Sequence, residues 1–535
     1  MPRGAAQRSV TSLPRTSFVF WLRLEAALCY YDAVSITPVV IPRSEHPLSR
    51  AQISPNALRV LYRLRERGHL AYLVGGGVRD LLLGREPKDF DIATDASPNE
   101  VKKVFRNCRL IGRRFRLAHI HFPDEIIEVA TFRSNLTDEP EVPVEVKAEE
   151  QPKVEVRAAA ETRTEAGTAG PDTAATTQPG PASPPDKPRP PRMLKSEDGM
   201  ILRDNVFGTP EQDAIRRDFT VNALFYSVAD FSVIDYVGGM ADLKRGLIRI
   251  IGDPVVRFTE DPVRMVRAVR FAAMLGFEIE EQTLKALLEL KDKVALASNA
   301  RMYEEVQKLF LLGEGEKVFQ LLRQTGIFGV LFPHINAWLD QEDENYPHIR
   351  VGKALEWVDD AVQAGKKAEP HILVSLMFGQ YIEEKWERQR KTGGAPLDAL
   401  DRAVAEFLAE IVPRVQLPKK VALAVRDILW NQGRFEKRQG KAPLYFLRRP
   451  GFAEAFEYLR FTSEISGDRG ELVAWWKDLV RREGEQPAGP RPGVTVLQEQ
   501  RPAGPGQREG AAERPAKRRR RRRRRSGPKP EAPQA

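Results

Sequence analysis

Residues Leu73–Glu100 read LVGGGVRDLLLGREPKDFDIATDASPNE, and the reading of this stretch decides the fold. The apolar run Leu70–Val74 (LAYLV) predicts a strand. It breaks at Gly75-Gly76-Gly77 into a short helix, VRDLLLG. A turn without Cβ atoms lets backbone N–H groups approach a phosphate, and the helix start that follows favours negative charge. DFDIAT (Asp89–Thr94) predicts a second strand. Residues i and i+2 of a strand share a face, so Asp89 and Asp91 point one way while Phe90 points into the core. Two carboxylates at that spacing suit a hard cation such as Mg²⁺, which takes few protein ligands and shares substrate phosphates. A D-x-D alone is a weak signal, since many such pairs are surface acids. The glycine turn on the neighbouring strand is what makes it a site for a triphosphate and its metal. The glycine spacing matches neither G-x-G-x-x-G nor G-x-x-x-x-G-K-[ST], which excludes a Rossmann or Walker loop.

Outward from this stretch, Ser54-Pro55 reads as N-cap and first helical residue of the amphipathic NALRVLYRLRER, stopped at Gly68. Ser97-Pro-Asn-Glu100 is a capping box that opens NEVKKVFRN. RLAHIHF and EIIEVATFR predict a hairpin turning at Pro123-Asp124. From about Ser134 to Met200 the chain is rich in Pro, Glu, Ala and Thr and nearly free of aromatics, which predicts a disordered insert. The α/β pattern resumes at DNVFGTPEQDAIRRDFTVNALFYS and SVIDYVGG, so the insert interrupts one domain. Helical periodicity then holds from MADLKRGLIRIIGDP to about Arg482. The expected organisation is a disordered or weakly helical extension (1–43), a head in two parts (44–135 and 201–238) around the insert (136–200), a helical neck (239–335), a helical body and tail that bind RNA (336–483), and a disordered basic C-terminus (484–535).

The chain has 535 residues, too many for one typical domain, with 42% hydrophobic residues and a mean hydropathy of −0.41. Its two cysteines, Cys29 and Cys108, exclude a disulfide framework and a Cys-rich zinc site and fit a reducing cytoplasm. The last 22 residues, from Arg514, carry eleven Lys/Arg and one Glu, which equals the whole chain's net charge of +10. The run Arg518, Arg519, Arg520, Arg521, Arg522, Arg523, Arg524 and Arg525 repels itself and is expected to be an unfolded, phosphate-seeking arm that binds RNA. A solubilising tail is the alternative. No run of about 20 apolar residues offers a membrane span. The N-terminal SFVFWLRLEAALCYY is broken by Arg23 and Glu25 and makes a poor signal peptide.

A two-metal site usually takes a third acid from a neighbouring strand. Glu128, alone among apolar residues in EIIEVATFR, is one candidate, with an exposed strand glutamate as the alternative. Asp218 in RRDFT is another; the alternative is an ion pair with Arg216 or Arg217.

The motifs LVGGGVRDLLLG…KDFDIAT, EVATFR, RRDFTVNALFYS, DYVGGMADLKRGLIRIIGDP and EDPVRMVRAVRFAAMLGF resemble, in this order, the class II nucleotidyltransferases, the family of tRNA CCA-adding enzymes and bacterial poly(A) polymerases. The resemblance is dense from about His46 to Phe332. Cys108–Phe122 (CRLIGRRFRLAHIHF) and the Arg-rich end look like the poly(A) polymerase branch. It implies an α+β protein: a polymerase-β-like head with a mixed sheet and helices, then an all-helical neck, body and tail. It implies AMP transfer from ATP to RNA 3′ ends without a template, Mg²⁺ at two metal positions (Mn²⁺ as substitute), and the RNA-decay machinery as partner. Asp89 and Asp91 match the family's metal-binding pair. Gly75, Gly76, Arg79 and Asp80 match its triphosphate turn, and Arg216, Arg217 and Asp218 the motif near the nucleotide sugar. Asp261 and Arg264 match the base-reading E-D-x-x-R motif. Arg267 and Arg270 follow Arg264 at i+3 spacing on one helix side, with a solvated basic face as the bland reading. Two other functions remain open at this stage: a CCA-adding enzyme, and a non-catalytic RNA-binding protein on the same fold.

Overall fold

A computed structural model of the protein describes residues 37–112, 116–134, 194–195, 201–203, 207–341 and 347–485. The strands are β1 (Val39–Ile41), β2 (Ala71–Val74), β3 (Asp91–Thr94), β4 (Cys108–Ile111), β5 (Leu117–His121), β6 (Ile126–Thr131), β7 (Leu194–Lys195), β8 (Ile201–Arg203), β9 (Leu224–Ser227) and β10 (Val233–Asp235). Eight of them form one sheet in the order β1-β10-β9-β2-β3-β6-β5-β4. β3 and β6 run parallel, and the other neighbours in the sheet run antiparallel. The parallel pair needs a long crossover, and the chain between β3 and β6 supplies it with a helix and two strands. β7 pairs with β8, so part of the region expected as insert is a short ribbon. Val39–Ile41, just ahead of the expected head boundary, forms the edge strand β1 on β10. Residues 1–36, most of the insert, and 486–535 lie outside the described residues.

The helices of the head are α1 (Pro55–Glu66), α2 (Gly76–Leu82), α3 (Pro98–Val104), α4 (Pro210–Arg216) and α5 (Gly239–Arg245). The caps read from sequence are present: Ser54 Oγ accepts from Ala57 N at 3.0 Å, and Ser97 and Glu100 form the reciprocal box. Strand alternation covers both faces of the sheet. Leu73 and Ile92 join the large core with Val60, Leu61 and Leu64 of α1. Val74 and Ala93 join a smaller cluster with Phe132, Phe225 and Ile251.

β11 (Leu247–Ile248) pairs in parallel with β12 (Glu278–Ile279) beside α6 (Pro254–Glu260), α7 (Val263–Leu275), α8 (Glu281–Leu290) and α9 (Asn299–Phe310). Then follow α10 (Gly315–Gln324), α11 (Ile327–Leu331), α12 (Pro333–Leu339), α13 (Pro347–Gln363), α14 (Pro370–Lys391), α15 (Pro396–Ile411), α16 (Lys419–Phe435), α17 (Ala442–Leu447), α18 (Phe452–Ser466) and α19 (Gly470–Glu485). The expected α+β head followed by a largely helical part is the observed fold, with one correction: β11 and β12 put a short two-stranded sheet in the neck that was expected to be all-helical. The chain divides into two units, Met1–Lys477 and Asp478–Ala535. Of the second unit the described residues are 478–485, the last turns of α19. Among the described residues no helix is long and apolar enough to cross a membrane.

Candidate active site

β2 brings the glycine turn to the acidic end of β3, because Val74 is the register partner of Asp91. Gly75 has φ 73° and ψ −137°, a backbone that suits glycine, and a Cβ there would lie 3.2 Å from Arg217 Nη1. β2 ends at Val74, so no β2 residue remains opposite Asp89. Asp89 therefore sits on the lead-in to β3 rather than in the strand, which corrects the expectation of a shared strand face. Its carbonyl oxygen packs against Gly77, where a Cβ would come within 3.3 Å. The glycines thus seat the start of α2 directly on the D-x-D segment.

Asp91 and Glu128 are register partners in the parallel pair, on the face opposite Ile92 and Val129. Glu128 meets His119 across the next pair, Oε2 to Nε2 3.3 Å. Asp91 is exposed to water, yet the protein around it desolvates its carboxylate. Burial pushes its pKa up to about 6, with Glu128 and Asp89 adding repulsion and Arg217 opposing. Among the described residues no group of three or more His, Cys, Asp or Glu forms a ready-made metal cage. Mg²⁺ does not need one, since it completes its shell with water and substrate phosphate. A hard cation relieves a carboxylate that burial and neighbouring acids push up as they do Asp91, so Asp89 and Asp91 fit the metal.

Behind the acids stands a cluster of guanidinium groups. Burial and the like charges of Arg133, Arg257 and Arg264 bring Arg216 down to about 9, with Glu260 opposing. Arg257 Nη2 donates to the main-chain oxygens of Arg216 and Arg217 at 2.7 and 2.6 Å. Arg217 is held by Asp213 at 3.0 Å and by the Asn222 carbonyl at 3.2 Å.

Asp218 pairs with neither neighbouring arginine. Its Oδ2 accepts from Arg267 Nε at 2.8 Å and Nη2 at 2.5 Å, and its Oδ1 accepts from Phe219 N at 2.9 Å and Asn222 Nδ2 at 3.4 Å. Burial alone would raise its pKa; Arg267 and these donors overcome that and hold it at about 2. Arg79 is also occupied. Its guanidinium is buried, donates to Asn222 Oδ1 at 2.5 Å and Asp80 Oδ1 at 2.9 Å, and lies 5.3 Å from the Phe271 ring centre. Asp218, Asn222, Arg79 and Asp80 of the head and Arg267 and Phe271 of α7 thus form one joint.

Asp261 lies between α6 and α7 with both carboxylate oxygens on Arg301 of α9, at 3.1 and 2.8 Å. Arg264 Nη1 bonds the Arg257 carbonyl at 2.9 Å and Glu260 at 3.3 Å. Arg270 is buried, with Nε 2.6 Å from Glu305 Oε1. Arg264 is held by Arg257 and Glu260, Arg267 chiefly by Asp218, and Arg270 by Glu305, which also lies 3.9 Å from Arg267, so the solvated basic face is not what forms. Sequence reasoning missed Arg133, Arg257 and Arg301. Arg133 ends the quoted EVATFR, and Arg257 lies at i−3 and i−4 from Glu260 and Asp261, a helical spacing that was available as a signal. Nothing local marks Arg301. The arginines Arg518–Arg525 lie outside the described residues.

Residues 71–249 match the family described as the poly A polymerase head domain, 276–339 "Probable RNA and SrmB- binding site of polymerase A", and 392–526 the polymerase A arginine-rich C-terminus. Poly(A) polymerase I of Salmonella typhi is 39% identical over 443 residues, 82% of this chain and 85% of the relative. The CCA-adding enzyme of Bacillus velezensis is 32% identical over 285 residues, 53% of this chain and 57% of the relative. A solved structure of the Bacillus stearothermophilus CCA-adding enzyme in complex with CTP shares the fold at TM-score 0.50 and 23% identity, over 82% of this chain and 90% of that one.

Proposed function

Since the chain belongs to the poly(A) polymerases of the class II nucleotidyltransferases and is a template-independent polynucleotide adenylyltransferase, we propose the residues that carry the transfer and the order in which they act. The observation that supports the assignment best is the meeting of Asp91 and Glu128 in register beside the Gly75 turn and Asp89. ATP is taken with its triphosphate on the backbone of Gly75 and Gly76 and toward the cluster of Arg216 and Arg217. An anion there offsets the burial and the like charges that lower Arg216. Asp261 and Arg264 read the adenine edge: a carboxylate accepts from the exocyclic amine and a guanidinium donates to a ring nitrogen. Arg301 presets Asp261 for this.

The RNA 3′-hydroxyl oxygen then attacks the α-phosphorus, the bond to the β-phosphate oxygen breaks, and pyrophosphate leaves. Asp89 and Asp91 would hold the divalent metal on which this family generally depends, and Mg²⁺ (or Mn²⁺) bound there would supply Lewis-acid activation of the hydroxyl and charge compensation for the leaving group. Glu128, steadied by His119, completes the acidic group. Asp218 and Arg79 act as positioning residues that fix the neck on the head, and with it the distance between the base reader and the acids. The tailed 3′ ends are handed to RNA-decay machinery.

Labelled-nucleotide incorporation into an RNA primer tests the assignment. ATP gives long homopolymeric tails that require Mg²⁺, while CTP gives little. Incorporation that stops after two C and one A overturns the base-reading assignment. Its absence from a protein that binds both substrates leaves a non-catalytic RNA-binding protein.

A further inference from the structure

We infer that Tyr445, with Lys437, Arg438, Lys441 and Arg449 flanking it in the chain, is a stacking platform for the single-stranded region of the RNA substrate. This rests on the reading of RNA as the acceptor. Tyr445 is 68% exposed, the most exposed large apolar side chain among the described residues. Burying a ring of this size is ordinarily favourable, and the neighbouring residues do so. Phe446 is buried, with its ring centre 4.9 Å from Phe435, 5.2 Å from Phe452 and 5.7 Å from Trp476. Trp476 Nε1 donates to the Phe435 carbonyl at 3.0 Å, which closes the cluster. α17 is thus pinned by one side, and Tyr445 is presented from the other on a rigid base.

The charges around the ring fix the kind of partner. Between Arg434 and Arg449 the chain carries six Lys/Arg and one acid, Glu436. Lys437, Arg438, Lys441 and Arg449 are exposed, and none enters an ion pair among the described residues. A protein-binding patch is depleted of lysine and of charge at its core. One aromatic face among unpaired cations is instead the pattern for a single strand: a base stacks on the ring while phosphates meet the cations, without reading sequence. The platform is separate in the sequence from the head and from Arg518–Arg525, and its task is to hold the strand behind the reacting 3′ end.

The test compares the full-length protein with Tyr445→Ala, Tyr445→Phe and the pair Lys437→Gln/Lys441→Gln, using an oligo(A) primer and ATP. Tyr445→Ala raises KM for the primer roughly tenfold, a typical loss for one stacked base, and leaves kcat at saturating primer unchanged. Tyr445→Phe keeps the wild-type KM because it keeps the ring. The double Gln variant flattens the slope of log affinity against log salt by about 1.4, roughly 0.7 for each phosphate that is no longer neutralised. A fully paired RNA of the same length competes equally against wild type and Tyr445→Ala, since its bases are not free to stack. Wild-type primer KM in Tyr445→Ala and a wild-type salt slope in the Gln pair overturn the inference and leave the patch to a protein partner. Wild-type protein that fails to extend any primer overturns the acceptor reading instead, so the two failures are distinguishable.

Discussion

Replacing Arg267 with Met tests the joint between head and neck. The Asp218 carboxyl stands at about 2 against an ordinary 3.8. That gap makes the ionised carboxylate worth about 2 kcal/mol to the folded state. The folded-state value is the lower one, so this contribution is complete above pH 3.8 and is lost as pH falls from 3.8 toward 2. Removing Arg267 strips away the two bonds at 2.8 and 2.5 Å and leaves only the Phe219 N and Asn222 Nδ2 donors to oppose burial. The carboxylate is then buried without its partner, an arrangement that typically costs about 3–5 kcal/mol. Asp218→Asn removes the charge without emptying the space. A double-mutant cycle of the two on urea unfolding isolates the pair. Its coupling should be about 2 kcal/mol or more at pH 7, flat down to about pH 4.5, and about half its full value near pH 3. Both single variants should also raise KM for ATP, because α7 carries the base-reading Arg264 as well as Arg267. A coupling below about 0.5 kcal/mol at pH 7, or one already declining between pH 7 and 5, would show that Asp218 is not locked by Arg267.

Three further outcomes are expected. Asp89→Ala and Asp91→Ala should each abolish AMP incorporation while thermal unfolding is unchanged or slightly raised, since Asp91→Ala removes a carboxylate that burial and acidic neighbours push up to about 6 and Asp89→Ala removes one of those neighbours; activity within threefold of wild type in either sinks the metal assignment. Arg264→Ala should lower the preference for ATP over CTP by roughly tenfold or more, the worth of one directed base-edge pair. Arg301→Ala should move the ratio the same way by releasing Asp261, and an unchanged ratio in a competition assay counts against both. Truncation after Glu513 should flatten the salt slope of primer binding by about 3, if about four of the arginines meet phosphate. Turnover at saturating RNA should hold, and identical slopes for the two forms would leave the tail a solubilising role.

The features legible in the sequence are those whose causes are local. An apolar run marked β2, strand-like segments marked β3 and the β5–β6 hairpin, and the caps at Ser54 and Ser97 were written in single residues. The glycine turn announced itself because a positive φ at Gly75 leaves glycine as the residue that fits. Register then put Asp91 beside Glu128, a neighbour that apolar flanks had already singled out. What the sequence could not carry was which charge answers which. Adjacency suggested Arg216 or Arg217 for Asp218, but Arg217 turns back one helical turn to Asp213 and Asp218 takes Arg267 from the neck. Asp261 takes Arg301, Arg270 takes Glu305, and Arg79 is drawn inward to Asn222. A side-chain rotamer and a helix packing angle set these partners over separations of 35 to 143 residues, and no local pattern encodes either. Local chemistry therefore fixed where the acids and the phosphate turn lie. Only the docking of α7 and α9 on the sheet decided that Asp218 meets Arg267 and Asp261 meets Arg301, because these partners lie 49 and 40 residues apart in the chain.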